Sequence, residues 1–109
     1  MATTYKVLGQ VAPSATTATT LYTVPSSTQT VVSTISVTNR TSGELTFRIA
    51  IRPAGETLAN KHYIAYDAKV AANDSTFITV GATLSATDVV TVYASSADLS
   101  FNAFGSEIA

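Results

Sequence analysis

What most constrains this chain is side-chain alternation at period two, which recurs wherever the sequence has pattern. In Leu45–Arg52, the residues Leu45, Phe47, Ile49 and Ile51 alternate with Thr46, Arg48, Ala50 and Arg52. Successive side chains of a strand point to opposite faces, so a segment of this kind buries one face and wets the other. No segment repeats its apolar residues at helical spacing. Composition agrees: Thr 19, Val 11 and Ile 6 make 36 β-branched residues among 109. Such side chains are stiff in helices and fit a pleated surface. An all-β fold follows.

The strands can be placed one by one. Tyr5–Val11 reads as the first, followed by the low-complexity stretch 13–20, either a crossing at the end of a sandwich or a joint behind an N-terminal arm. Leu21–Val24 is short and stopped by Pro25, which lacks a ladder donor. Thr28–Asn39 puts Val31, Ser33, Ile35 and Val37 on one face and Thr30, Val32, Thr34, Ser36 and Thr38 on the other. Asn39–Glu44 then reads as a hairpin loop with Gly43 at positive φ, returning through Leu45–Arg52. Glu56–Asn60 has room for one helical turn. Tyr63–Asp67, Ser75–Val80, Val89–Ala94 and Leu99–Phe104 complete the set, with turns at Ala71–Asp74 and Ala97–Asp98. Val89–Ala94 is apolar on both faces and should be central.

About seven to nine strands at this spacing predict an antiparallel sandwich. Long connections at 13–20, 53–60 and 81–87 favour a Greek-key or jelly-roll sandwich over an up-and-down barrel. The expected core is Val31, Ile35, Val37, Leu45, Phe47, Ile49, Ile51, Ile78, Val90, Val92, Leu99 and Phe101.

Residues 1–109 make one domain by length, with 1–20 free to extend as an arm. The net charge of −1 argues against a nucleic-acid or membrane-surface binder, both of which need a basic excess. Charged residues are 12% of the chain, and Ser and Thr together are 31 of 109, so the surface is wet by hydroxyls. Such a surface suits packing against copies or a partner. Met1-Ala2-Thr3-Thr4-Tyr5 does not read as a signal peptide, and there is no cysteine.

Chemistry is sparse. A Ser-His-Asp site would need His62, the single histidine, with Asp67, Asp74, Asp88 or Asp98 to orient it, and no G-x-S-x-G elbow is present. Glu44, Glu56 and Glu107 are the acids a glycosidase could pair, and all fall in expected loops or the tail. Asn73-Asp74-Ser75 and Asp88 offer oxygens for calcium without a full loop motif. Asn39-Arg40-Thr41 and Asn73-Asp74-Ser75 match the glycosylation triplet but read as turns. No enzyme activity, cofactor or bound metal is expected.

For partner binding, Arg48 and Arg52 stand four apart on one outward strand face, and Arg is enriched at interfaces. Tyr5 and Lys6 join them from the N-terminal segment, which can add a strand to a neighbour's sheet. Tyr22, Tyr63, Tyr66 and Tyr93 read as half-buried strand residues; a sugar platform is the alternative.

Several segments carry a resemblance over nearly the whole chain. They are Tyr5-Lys6-Val7-Leu8-Gly9-Gln10, Leu21-Tyr22-Thr23-Val24-Pro25, Thr30-Val31-Val32-Ser33-Thr34-Ile35 and Phe47-Arg48-Ile49-Ala50-Ile51-Arg52-Pro53. Lys61-His62-Tyr63-Ile64-Ala65-Tyr66-Asp67 and Leu99-Ser100-Phe101-Asn102-Ala103-Phe104-Gly105-Ser106-Glu107 complete them. In order, they resemble a family of small virion structural proteins of tailed bacteriophages, especially marine and cyanobacterial ones. The resemblance implies a non-enzymatic subunit of the particle. A capsid cement (decoration) protein on the head, bound to the major capsid protein, is the first expectation. A tail, neck or baseplate component and a carbohydrate-binding module on a fibre are the alternatives. Apolar second faces at Val32, Ile64 and Val89 predict self-association, and three-fold capsid junctions would make it a homotrimer.

Overall fold

The computed structural model describes residues 2–109; Met1 lies outside the described residues. The strands are β1 (Thr3–Val11), β2 (Thr19–Thr23), β3 (Gln29–Asn39), β4 (Leu45–Arg52), β5 (Tyr63–Val70), β6 (Ser75–Leu84), β7 (Val89–Ala94) and β8 (Leu99–Ile108). They form two four-stranded antiparallel sheets. The first runs β1-β8-β3-β6 and the second β2-β7-β4-β5.

The pairings have a simple order. β1 pairs with β8, β2 with β7, β3 with β6 and β4 with β5. The chain is thus a ribbon folded back on itself between β4 and β5, then rolled so that β3 meets β8 and β4 meets β7. This is an eight-stranded jelly roll, a sandwich of two Greek keys. The fold class expected from alternation stands, and β7 is central as its apolar faces required.

Two connections exchange roles. β3 and β4 lie in different sheets, so residues 40–44 are a crossing and not a hairpin loop. Gly43 is not among the residues at positive φ. The sandwich edge is closed there by Asn39, which is 2% exposed. Its amide nitrogen donates to the carbonyls of Gly43 at 2.8 Å and of Val70 and Ala71 at 3.2 Å. Its oxygen accepts from the Thr41 amide and hydroxyl. Conversely 53–60, read as a crossing, lies within the link between β4 and β5 inside one sheet, with 3-10 turns at Pro53–Gly55 and Asn60–His62.

The register of β3 changes at Ser33. Both of its ladders shift between Val32 and Thr34, and the Ser33 hydroxyl donates to the Phe104 carbonyl at 3.0 Å. A bulge moves every later residue to the other face. Thr30 and Val32 therefore point inward before it, and Ile35, Val37 and Asn39 after it. Val31, expected in the core, stays half-buried outside it, while Val32 and Val89, expected to be exposed, are buried. Ile64 is exposed.

Other segments are longer than their patterns. β6 runs through Gly81 to Leu84, so the loop expected over 81–87 shrinks to a turn before Val89. β8 runs past Gly105 to Ile108. Thr3–Val11 pairs with β8 from Thr3↔Ile108 to Val11↔Phe101, so the segment considered as an arm is an edge strand of its own sheet. At Gly9 an added Cβ would collide with the Leu21 carbonyl of the facing sheet, which fixes glycine at that close approach.

The core lies between the sheets, around Phe47, Phe101, Ile35, Ile49, Leu99, Val90 and Val92, with Leu45, Ile51 and Ile78 packed against it. Phe47 and Phe101 meet edge to face at 6.1 Å across the sandwich. Phe47→Ala should cost about 3–5 kcal/mol in urea unfolding, the range for a buried aromatic truncation. Asn39→Ala should cost about 2 kcal/mol or more, because it strands carbonyls of both crossings. A loss under about 0.5 kcal/mol for either would contradict these placements.

Candidate functional site

The outer face of the second sheet gathers the groups best suited to recognition. Arg48 faces Tyr93 of β7 directly in the ladder. On the other side, the β4–β5 register jumps between Phe47↔Ala68 and Ile49↔Ala65, which sets Tyr66 and Asp67 opposite Arg48. Asp67 takes φ 51°, the conformation of a bulge. The guanidinium carbon of Arg48 lies 4.1 Å from the Tyr66 ring centroid and 4.3 Å from that of Tyr93. Its Nε donates to Asp67 Oδ1 at 2.7 Å. Tyr63 meets Tyr66 edge to face at 4.9 Å. The hydrogen bond to Asp67, reinforced by that carboxylate's charge, holds the Arg48 proton more tightly than usual. The result is a charged side chain clamped between two rings, with Tyr66 56% exposed.

Arg52 shares this face but has a different role. Its Nε donates to Thr91 Oγ1 at 3.0 Å, and one terminal nitrogen donates to the carbonyls of Gly55 and Glu56. These bonds tie the β4–β5 link to the sheet. Tyr5 and Lys6 belong to the other sheet, so the four expected contact residues do not form one site. Tyr5 is 84% exposed. Lys6 pairs with Glu107 at 3.3 Å.

Glu107 completes a contact that bridges the sheets. The Tyr22 hydroxyl from β2 donates to Glu107 Oε2 at 2.6 Å and lies 2.8 Å from Thr30 Oγ1 on β3. Burial, then the bond to Glu107, pushes the Tyr22 hydroxyl up to about 12. That bond, with Lys6 behind it, draws Glu107 below the ordinary carboxylate value. The short strand Leu21–Val24 placed Tyr22 as a half-buried strand residue, whereas it is buried, and its pairing across 85 positions left no local signal.

The groups considered for catalysis make the following contacts within the fold. His62 is buried, and its Nδ1 accepts from the Ala59 amide at 3.0 Å. Its Nε2 therefore carries the hydrogen toward Glu56 Oε1 at 3.2 Å. That bond, then Lys61, lowers the Glu56 carboxyl. Asp88 accepts from the amides of Ala54 and Ser85, Asp74 from that of Ser75, and Asp98 from the Ser96 hydroxyl and, through it, braces its own turn. Glu44 is exposed in the 40–44 crossing. Among the described residues no three His, Asp or Glu side chains are placed to hold a metal ion. Asn39, the first residue of one glycosylation triplet, is buried with its amide fully engaged. A cleft of about 360 Å³ at one end is lined by Ser27, Thr28, Gln29, Ser85, Ala86, Ile108 and Ala109, with no ionisable side chain.

Compared with known proteins, the chain matches no family model, and no curated protein matches its sequence.

The Tyr22–Glu107 contact gives stability a defined pH dependence. The Glu107 contribution is present above the ordinary value of 4.5 and is lost as pH falls through the lower folded value. The Tyr22 contribution is full below 10.0 and is lost as pH rises through about 12. Tyr22→Phe should cost about 1–2 kcal/mol at neutral pH. It should also flatten the stability profile below pH 4.5 and above pH 10.0 in denaturation followed by circular dichroism. An unchanged profile would dismiss the contact as a stabilising one.

Proposed function

We propose that this chain is a non-enzymatic structural subunit of a bacteriophage particle, a cement protein bound to major capsid subunits on the outside of the head. The observation that carries this reading is the Tyr66–Arg48–Tyr93 cluster, a rigid aromatic and Arg patch on an exposed sheet face. Clamped Arg and Tyr side chains are the usual anchors of protein interfaces, because little rotamer freedom remains to be lost on binding. The chemistry-bearing side chains, by contrast, are spent on turns and links: His62 on its own turn, Asp88 on two amides, Arg52 on the β4–β5 link. The resemblance of the segments quoted above to virion structural proteins supplies the particle. A jelly roll of this size, wet by hydroxyls and nearly neutral, can be repeated at many identical capsomer junctions.

Copy number separates this reading from its nearest rival. Quantitative mass spectrometry of purified virions should find the protein at a level approaching that of the major capsid protein. About ten copies or fewer per particle would place it in the tail, neck or baseplate instead. The exposed Tyr66 ring beside the Asp67 carboxylate also favours a second reading, a carbohydrate-binding module on a fibre. A glycan array tests that one, and specific sugar capture by the isolated protein would replace the cement reading.

The contact residue can be tested on particles directly. Arg48→Ala should reduce capsid occupancy about tenfold, as truncation of an anchoring Arg does at other interfaces. Removing residues 1–10 is not a clean comparison, since it would strip β1 from its sheet. A folded Arg48→Ala protein at wild-type occupancy would move the contact elsewhere.

A further inference from the structure

We propose that copies of this chain join head to tail through the free edges of the first sheet, β6 of one copy pairing with β1 of the next. The proposal does not rest on the capsid reading; it concerns only a second copy of this chain.

A sheet edge presents unpaired N–H and C=O groups, and proteins that stay apart blunt their edges with short strands, charge, proline or bulges. The second sheet follows that rule. Its edge strand β2 has 5 residues. Its other edge, β5, carries Asp67 and Lys69, and its ladder is broken twice. The first sheet follows it less. Its edge β6 is 10 residues, STFITVGATL, without charge or proline and with one irregularity near Gly81. Its other edge, β1, is 9 residues with one irregularity between Val7 and Gly9, and its one charge, Lys6, is drawn to Glu107. Among the described residues β6 pairs only with β3, and β1 only with β8.

Exposed apolar side chains mark these two edges. Phe77 on β6 is 68% exposed and stands on the outer face, since its neighbour Ile78 packs toward the core. Tyr5 and Val7 on β1 are exposed on the face opposite Lys6 and the core residue Leu8. Three of the five large exposed apolar residues thus lie on the two free edges of one sheet; the other two, Ile64 and Tyr66, lie on β5, where Asp67, Lys69 and the broken ladder interrupt the edge. Between them, the row Gln10–Asn102–Ser36–Phe77 is polar until it reaches Phe77.

Strand direction fits the same junction. β1 is antiparallel to β8, β8 to β3, and β3 to β6, so β1 and β6 run in opposite senses. Continuing the sheet into a second copy therefore sets β6 antiparallel to the next β1, the more stable of the two ladders. Phe77 then covers Tyr5 or Val7 of the neighbour. A head-to-tail contact of this kind closes into a ring when the junction turns each copy about an axis along the strands, and the trimer expected from the sequence is one such ring.

Sedimentation and light scattering at tens of micromolar test it. The wild-type protein should be larger than a monomer, and Phe77→Asp and Val7→Asp should each reduce it to a monomer with unchanged circular dichroism. Mixing the two variants in equal amounts should then give a 1:1 dimer, because each keeps the edge the other has lost. Should Phe77→Asp disturb folding, Thr79→Lys on the same exposed row takes its place. A wild-type monomer would overturn the proposal. So would a mixture that stays monomeric, or a dependence on Phe77 without Val7, which is the pattern of two β6 strands pairing about a two-fold axis.

Discussion

The side-chain amide of Asn39 holds together two crossings that the rolled ribbon requires and that no ladder supports. β3 must reach β4, and β5 must reach β6, by leaving one sheet for the other at the same end of the sandwich. Asn39 has two N–H donors and three carbonyl acceptors within 3.2 Å, one on the first crossing and two where β5 ends. One hydrogen is therefore shared, and each carbonyl is spared burial without a partner. The backbone continues the seam: the Asn39 amide donates to Asp74, and the Asn73 amide donates to Thr41. Among the described residues no buried side-chain nitrogen or oxygen lacks a partner. At the far end Tyr22, Thr30 and Glu107 bridge the sheets in the same way. Every strand pair joins the first half of the chain to the second, so beyond the local β4–β5 pair folding must close long loops before further sheet is gained.

Alternation reports which face a residue occupies, and it reports little else. The inward phase of β4 was legible because Leu45, Phe47, Ile49 and Ile51 are unambiguous, and the buried set around Phe47 follows from it. Which strand lies alongside was not legible. Residues 40–44 look like a hairpin loop because a short polar link with glycine suits either a return or a step between sheets. The longer 53–62 link stays in its own sheet, so connection length pointed the wrong way in both places. The bulge at Ser33 was equally hidden, because a serine in a Thr/Ser-rich strand carries no mark of an extra residue. Gly81 read as a strand end, yet at φ 62° it sits inside β6.

The candidate site divides along the same line. Arg48 stood out because arginine is rare here and falls on an outward position. Its clamp did not, since Tyr66 and Tyr93 come from strands on either side of β4 and meet only once the β5 bulge and the β7 register are known. Arg52 had the same sequence credentials and turned out to brace a link. Tyr5 and Lys6 were grouped with the arginines through the idea of an extended arm, and β1 is instead an edge strand laid along β8 of its own sheet. Exposure on a strand can be read from period only until a bulge such as that at Ser33 intervenes. Shared location cannot, because it depends on the order of strands across a sheet.

That order also gives the low charge of the chain a location. Within the strands of the first sheet the charged residues are Lys6 and Glu107, and they neutralise each other. The second sheet carries Arg48, Arg52, Asp67 and Lys69 on its β4 and β5 strands. One sheet therefore has edges with a single charge, Lys6, and exposed apolar side chains, and the other has charged or short edges with its recognition groups gathered on the face. Edge and face serve different kinds of contact. A backbone ladder is indifferent to side-chain identity and suits identical copies laid side by side, whereas a clamped Arg between tyrosines selects by shape and charge. On the proposed reading the first sheet meets other copies and the second meets the capsid, so the two contacts need not compete for one surface.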